Sequence, residues 1–126
     1  MSRARIGLSV PPQLPPAGIP AYARRAESAG FNEFWLAEDC FFAGGIAAVS
    51  AALSGTHRLA VGVGIMPAVA RNAAFTAMEI ATVAGVAQRA VGVAVALAAG
   101  DRGRGSCTLS TWLASPDKDQ RRIRGL

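Results

Sequence analysis

Cysteine and histidine are scarce in this chain, which has two cysteines and one histidine among its 126 residues. Cys40 and Cys107 are too far apart in sequence to indicate a disulfide framework or a paired metal-binding motif. With His57 as the single histidine, the chain also lacks the usual ligand set of a zinc centre. The sequence therefore predicts no metal site and excludes the small folds that depend on disulfides or zinc.

Long hydrophobic runs are also missing. The longest apolar stretches, residues 59–70 and 90–100, fall short of the roughly 18–20 residues that span a bilayer. The opening segment, MSRARIGLSVPP, lacks the long apolar core of a secretory signal peptide. We therefore predict a soluble, cytoplasmic protein without a membrane partner.

Positive charge is unevenly distributed. The net charge is +5, and six of the 13 basic residues fall within residues 101–126. A basic Gly-Arg stretch at residues 101–105 is weakly similar to nucleic-acid-binding tails. No aromatic residues alternate with these arginines, and no module that reads nucleic acid precedes them. We predict that nucleic acid is not a partner.

Short apolar segments recur in a regular order, and hydrophobic residues make up 52% of the chain. Four of these segments predict strands: residues 6–10, 34–39, 59–66 and 90–97. The segments between them carry apolar residues at helical spacing. Strands that start every roughly 25–30 residues, with helices between them, predict a parallel sheet of the barrel or doubly wound type. Residues 101–126 lose this rhythm, and we predict an irregular or disordered basic tail after a domain of residues 1–100.

Two acids, Glu38 and Asp39, end the second predicted strand. In parallel folds with helical crossovers, ligands bind at the carboxyl ends of the strands, and one of two adjacent residues there points into the mouth. A carboxylate in that place can hydrogen-bond a ligand or polarise a substrate. The alternative is that one acid caps the following helix while the other is solvated.

Gly62 and Gly64 alternate along the third predicted strand. Without side chains there, a flat ring can approach the backbone closely. The alternative is a tight packing contact between this strand and a helix. Phe34 and Trp35 are predicted as core residues, and His57, in a loop that leads from a helix into a strand, as a surface residue.

Four segments together resemble the luciferase-like monooxygenase family, whose members are (β/α)8 barrels that use FMN or a deazaflavin. They are Ile6-Gly7-Leu8, AESAGFNEFWLAED, FFAGGIAAVSAAL and LAVGVGIMPAVARNAAFTAMEIATV. Their order and spacing resemble the first three βα units of that family, over residues 5–98. The chain departs from the family pattern at three places: Arg71-Asn72-Ala73 replaces an Arg-His-Pro-like triplet, Gln88-Arg89-Ala90 replaces Gly-Arg-Phe, and Cys40 replaces an aromatic residue or histidine.

The resemblance implies a partial (β/α)8 TIM barrel, with three βα units and a fourth strand. It also implies an oxidoreductase that holds FMN or a deazaflavin at the barrel mouth and acts on a small molecule. Asp39, Glu38, Gly64 and Ile65 are the implied cofactor-binding residues, with Asp39 favoured. A non-proline cis peptide between Gly64 and Ile65 would form a bulge behind the flavin ring. No catalytic residue is identified.

The number of predicted strands argues against a complete barrel enzyme, because four strands cannot close an eight-stranded barrel. An inactive fragment or a small interaction domain without catalysis is therefore the alternative hypothesis. Pairing of two such halves as a homo-oligomer is a further arrangement compatible with the sequence.

Overall fold

The structure is a computed structural model that describes residues 4–39, 41–67, 70–89, 91–96 and 109–114. Its strands and helices alternate along most of the chain. In order they are β1 (Gly7–Val10), a short 3-10 turn (Pro16–Gly18), α1 (Ile19–Ser28), β2 (Glu33–Leu36), α2 (Gly45–Ser54), β3 (Ala60–Pro67), α3 (Ala73–Ala87), β4 (Val91–Ala96) and β5 (Leu109–Ala114).

The first four strands form a parallel sheet in which spatial order follows chain order. A helix joins each of these strands to the next, so every connection is a βα crossover. This arrangement confirms the predicted βα-βα-βα-β order. It is the arrangement of the opening strands of a (β/α) barrel, in which consecutive parallel strands are neighbours.

The fifth strand differs from the prediction for the tail. Residues 101–126 were expected to be irregular, but Leu109–Ala114 forms β5 and pairs antiparallel with β4. The edge of β4 offers unpaired N–H and C=O groups, and a segment containing threonine, tryptophan and leucine is suited to a strand. The rest of the predicted tail lies outside the described residues.

The helices begin and end where local sequence chemistry requires it. Pro20 lies in the first turn of α1, where its missing N–H group leaves no hydrogen bond unmade. Gly30 follows the helix with φ of 88°, a left-handed conformation that glycine adopts at little cost. Asn72 caps α3, because its side-chain oxygen accepts a hydrogen bond of 2.9 Å from the N–H of Ala74.

The two faces of the sheet have different coverings. Phe34 is fully buried against the helices, with its ring centroid 6.3 Å from that of Tyr22 in α1. Val63 faces α2, where its methyl groups approach Gly45. Trp35 points to the opposite face and is half-buried there, over the glycines of β3 and β4. The core prediction thus holds for Phe34, whereas Trp35 lies on the face that the helices do not cover.

The amino ends of the strands are held by side chains that bond backbone. The side-chain Oδ1 of Asn32 accepts a hydrogen bond of 3.0 Å from the N–H of Ile6. The backbone carbonyl oxygen of Asn32 accepts one of 3.1 Å from the N–H of Ala60. The Glu27 carboxylate accepts hydrogen bonds from the N–H groups of residues 57–59. Although burial opposes it, bonding to these backbone groups holds the pKa of Glu27 below its ordinary value.

His57 is exposed in this loop, as predicted. Among the helices of the described ranges, none is both long enough and apolar enough to cross a bilayer.

Candidate functional site

The carboxyl ends of β2 and β3 meet at one edge of the sheet. The N–H group of Glu38 donates a hydrogen bond of 3.3 Å to the carbonyl oxygen of Ile65. Asp39 is the next residue and is exposed, and the side chain of Ile65 is 38% exposed. The structure therefore brings Glu38, Asp39, Gly64 and Ile65 together, and we call this group the rim.

The peptide bond between Gly64 and Ile65 is cis, as the family resemblance implied. The pairing of β3 with β4 shifts its register between Gly64 and Met66. Such a shift marks a bulge, in which an extra residue re-aims the backbone at the end of a strand. Both the cis peptide and the bulge are thus confirmed, while the contact of this segment with a cofactor stays a prediction.

Both oxygens of the Glu38 carboxylate bond to other parts of the protein. Its Oε2 accepts a hydrogen bond of 2.9 Å from the N–H of Gly45, the first residue of α2. A carboxylate is favourable there because the first N–H groups of a helix lack internal partners. Residue 45 has no room for a side chain, since a Cβ would collide with Oε2 of Glu38 and stand 2.9 Å from Cγ1 of Val63.

The other oxygen of Glu38 pairs with Arg71, which lies between β3 and α3. Nε of Arg71 is 2.8 Å from Oε1 of Glu38, and its Nη1 is 2.9 Å from Oε2 of Glu79. The hydrogen bond to Glu38 and the nearby negative charge of both acids raise the pKa of the Arg71 guanidinium, although burial opposes the shift. Arg71 therefore connects the loop after β2 to α3.

Arg71 was not among the predicted site residues. In the sequence it stood out only as part of a triplet that departs from the family pattern. Two acids at the end of one strand and an arginine after the next strand are complementary charges, because neighbouring parallel strands end at the same edge. That complementarity was the signal in the sequence that pointed to this contact.

The glycines of β3 are explained by an indole ring of the protein itself. A Cβ on Gly62 would stand 2.6 Å from the carbonyl oxygen of Gly92 and 2.7 Å from Cζ3 of Trp35. A Cβ on Gly64 would stand 3.2 Å from Cε3 of the same ring. The packing alternative therefore accounts for Gly62, and its partner is Trp35 on the same sheet rather than a helix.

An aromatic pair follows the two acids. Phe41 is fully exposed and has φ of 73°, in the left-handed region that bulky residues seldom adopt. Phe42 is 45% exposed. Cys40, the residue between Asp39 and Phe41, lies outside the described residues. Two exposed apolar side chains thus follow Asp39 on the same loop.

The amino ends of the strands carry a separate feature, a shallow groove of about 330 Å³. It is lined by Arg5, Glu27, Gly30, Phe31, Asn32 and Arg58. Because Glu27 and Asn32 already bond to backbone there, and because sites in such folds lie at the opposite ends of the strands, we assign it no ligand. In the part of the chain that the structure describes, no three His, Cys, Asp or Glu side chains are close enough together to hold a metal ion.

Comparison with known proteins agrees with this architecture. The profile of the luciferase-like monooxygenase family matches residues 1–88. A solved structure, the coenzyme F420 dependent tetrahydromethanopterin reductase from Methanopyrus kandleri, superposes with a TM-score of 0.61 at 24% sequence identity. The superposition covers 65% of this chain and 24% of the reductase, so the chain spans about a quarter of that protein's length. No curated protein sequence matches the chain.

Proposed function

This chain belongs to the luciferase-like monooxygenase family, and from that premise we propose that its rim binds the ring of a flavin or deazaflavin cofactor in an oxidoreductase. The observation that carries the proposal is the hydrogen bond between Glu38 and Ile65, which holds the ends of β2 and β3 together. Asp39, the residue after Glu38, is exposed, and the side chain of Ile65 is partly exposed.

The residues of the rim suit such a ring in their chemistry. A flavin or deazaflavin has a flat apolar body and a polar edge that includes an N–H group. The Asp39 carboxylate is a hydrogen-bond acceptor for that edge, and Ile65 offers an apolar contact to the body. Glu38 enters the proposal as the residue that holds the rim in place, since its two oxygens bond Arg71 and Gly45.

The cofactor and the protein would have different roles in the reaction. The bound cofactor would supply hydride chemistry, which no side chain of the protein can perform. The protein would orient the ring through Asp39 and Ile65, and the exposed Phe41 and Phe42 would border it and reduce its contact with water. FMN and a deazaflavin remain alternatives, although the similar reductase is named for coenzyme F420.

A titration tests the proposal. The purified chain is titrated separately with FMN and with coenzyme F420, and cofactor absorbance and fluorescence are recorded. We expect saturable changes with one of the two. Asp39→Asn should raise the Kd about tenfold, which corresponds to about 1.4 kcal/mol. Asp119→Asn makes the same chemical change beyond the residues that the family profile matches, and it should leave the Kd unchanged.

The alternative is a chain that binds no cofactor and acts as an inactive fragment or interaction domain. The observation that favours it is the limited coverage, about a quarter of the similar reductase. Absence of any spectral change with either cofactor, from a chain that is folded by circular dichroism, would support this alternative. The small-molecule substrate, the cytoplasmic location and homo-oligomer formation stay predictions from the sequence.

A further inference from the structure

We propose that Trp35 is a positioning residue whose indole supports the rim from beneath and sets the position of the Gly64–Ile65 segment. This inference rests on the proposed cofactor site and names a residue that acts on it indirectly. Trp35 lies in β2, one residue before the end of the strand, and opposite Gly62 in the neighbouring β3.

The indole lies against the backbone of β1, β3 and β4 at positions that have no side chain. Hypothetical Cβ atoms would stand 2.7 Å from the ring at Gly62, 2.7 Å at Gly92, 3.2 Å at Gly64 and 3.4 Å at Gly7. The last of these belongs to β1, and the others belong to β3 and β4. A glycine at each of these contacts lets the ring lie close to the main chain. The thickness of the ring therefore determines how closely the backbone of β3 can lie to it.

The orientation of the ring is held by a polar contact at its other end. Nε1 of Trp35 donates a hydrogen bond of 3.0 Å to Oε2 of Glu33. The second oxygen of Glu33 pairs with Nε of Arg5 at 3.1 Å. An indole that is fixed at its nitrogen and packed on glycine backbone has little freedom to move.

Ring position is therefore linked to the rim through the main chain. Cε3 of Trp35 is the atom closest to the Cβ position of Gly64, and Gly64 precedes Ile65, whose carbonyl oxygen bonds the N–H of Glu38. A smaller side chain at residue 35 removes the support beneath Gly64. Since displacements of about 1 Å in a site have large effects on binding and catalysis, we expect the cofactor contacts to weaken.

The experiment uses the full chain in a Trp112→Phe background, which leaves Trp35 as the only tryptophan. FMN and coenzyme F420 are titrated, and the Kd and the circular dichroism band of the bound cofactor are measured in every variant, with quenching of Trp35 emission added where the indole is kept. Trp35→Phe keeps an aromatic ring but replaces the indole with a smaller one. We expect a Kd about tenfold higher and an altered cofactor band in the fraction that remains folded.

A second variant keeps the indole and changes its neighbour. Gly92→Ala adds a Cβ 2.7 Å from Cη2 of Trp35 at a position outside the rim, so the ring must shift, and we expect the same direction of change in the Kd and the cofactor band. Gly18→Ala is the matched control, because its Cβ would make an ordinary contact of 3.7 Å with Leu14, away from Trp35.

The outcomes separate this inference from the proposal beneath it. If the unmodified chain binds neither cofactor, the proposed function and this inference are both overturned. If the chain binds a cofactor but Trp35→Phe and Gly92→Ala leave the Kd within twofold and the band unchanged, only the positioning role is overturned. A fall in thermal stability alone, with unchanged Kd and band, shows a purely structural tryptophan and overturns it equally.

Discussion

The guanidinium of Arg71 stands 2.8 Å from the carboxylate of Glu38, across the gap between two successive strand ends. The side chains are 25% and 13% exposed, so water screens this pair only in part. Through Glu38 the contact reaches the first residue of α2, and through Glu79 it reaches α3. Arg71, which follows β3, thus links the loop after β2 to α3.

Removing this arginine should destabilise the chain measurably. Arg71→Met leaves a largely buried carboxylate without its cationic partner, and we expect a loss of about 1–3 kcal/mol in the free energy of unfolding. Urea denaturation, followed by circular dichroism, measures the change. The Glu79 side chain is 47% exposed, so Glu79→Gln should cost less than about 1 kcal/mol. Equal losses in both variants would contradict the ranking.

Two glycine-to-alanine substitutions should have opposite effects. Gly62→Ala forces a methyl group against a carbonyl oxygen at 2.6 Å and against Trp35 at 2.7 Å, and we expect a loss of about 3 kcal/mol. Gly85 lies within α3 with no atom within 4 Å of its Cβ position, so Gly85→Ala should gain roughly 0.5–1 kcal/mol. Thermal midpoints of the two variants test this prediction, and a stabilised Gly62→Ala protein would refute the proposed packing.

Glu27 should make stability depend on pH in the acid range. Its pKa is held below the ordinary value of 4.5 in the folded chain by backbone N–H groups that outweigh the effect of burial. Its contribution is therefore fully present above about pH 4.5 and is lost as pH falls through the lower folded pKa. Urea midpoints from about pH 6 to about pH 3 should fall for the unmodified chain. Glu27→Gln should be less stable near pH 6, and its deficit should shrink as the medium becomes more acidic; a constant deficit would argue against the assignment.

Arg89 should stabilise the end of α2. Its Nη2 donates to the carbonyl oxygen of Leu53 at 2.6 Å, and its Nη1 donates to Oγ1 of Thr56 at 3.1 Å. Burial lowers the pKa of Arg89, and the charged form remains dominant at neutral pH. We expect Arg89→Met to cost about 1–2 kcal/mol, because the charge-assisted bonds to the buried Thr56 and to Leu53 are lost.

Hydrogen exchange provides a local readout for the same variant. Amide protection should fall over residues 50–56 and remain unchanged in α1. Arg58→Met is the matched control, since the side chain of this exposed arginine is not among those bonded to α2, and it should leave protection in α2 unchanged.

The spacing of apolar residues and the residues that bound each apolar run were sufficient to predict the parallel part of the sheet. Apolar runs bounded by proline, glycine or acidic residues indicated the four strands, and Asn72 was recognisable as a helix cap because its chemistry is local. The cis peptide at Gly64–Ile65 was predicted only through the family resemblance. Nothing in the local pattern of glycines distinguishes it from an ordinary strand end.

The remaining features depend on contacts between distant residues. The pairing of β5 with β4 joins segments that are separated by residues 97–108, and β-propensity alone does not determine with which strand the 109–114 segment pairs. The contact between Glu38 and Arg71 spans 33 positions and follows only from the alignment of strand ends. The side to which Trp35 turns follows from strand register, which single-sequence periodicity leaves open.

The antiparallel pairing of β5 has a consequence for assembly. A strand can hydrogen-bond one neighbour on each side, and β4 already has β3 on one side and β5 on the other. A fifth parallel strand, whether it came from the same polypeptide or from another, would compete with Leu109–Ala114 for the same N–H and C=O groups. Extension of the parallel sheet beyond β4 thus requires that Leu109–Ala114 give up its place beside that strand.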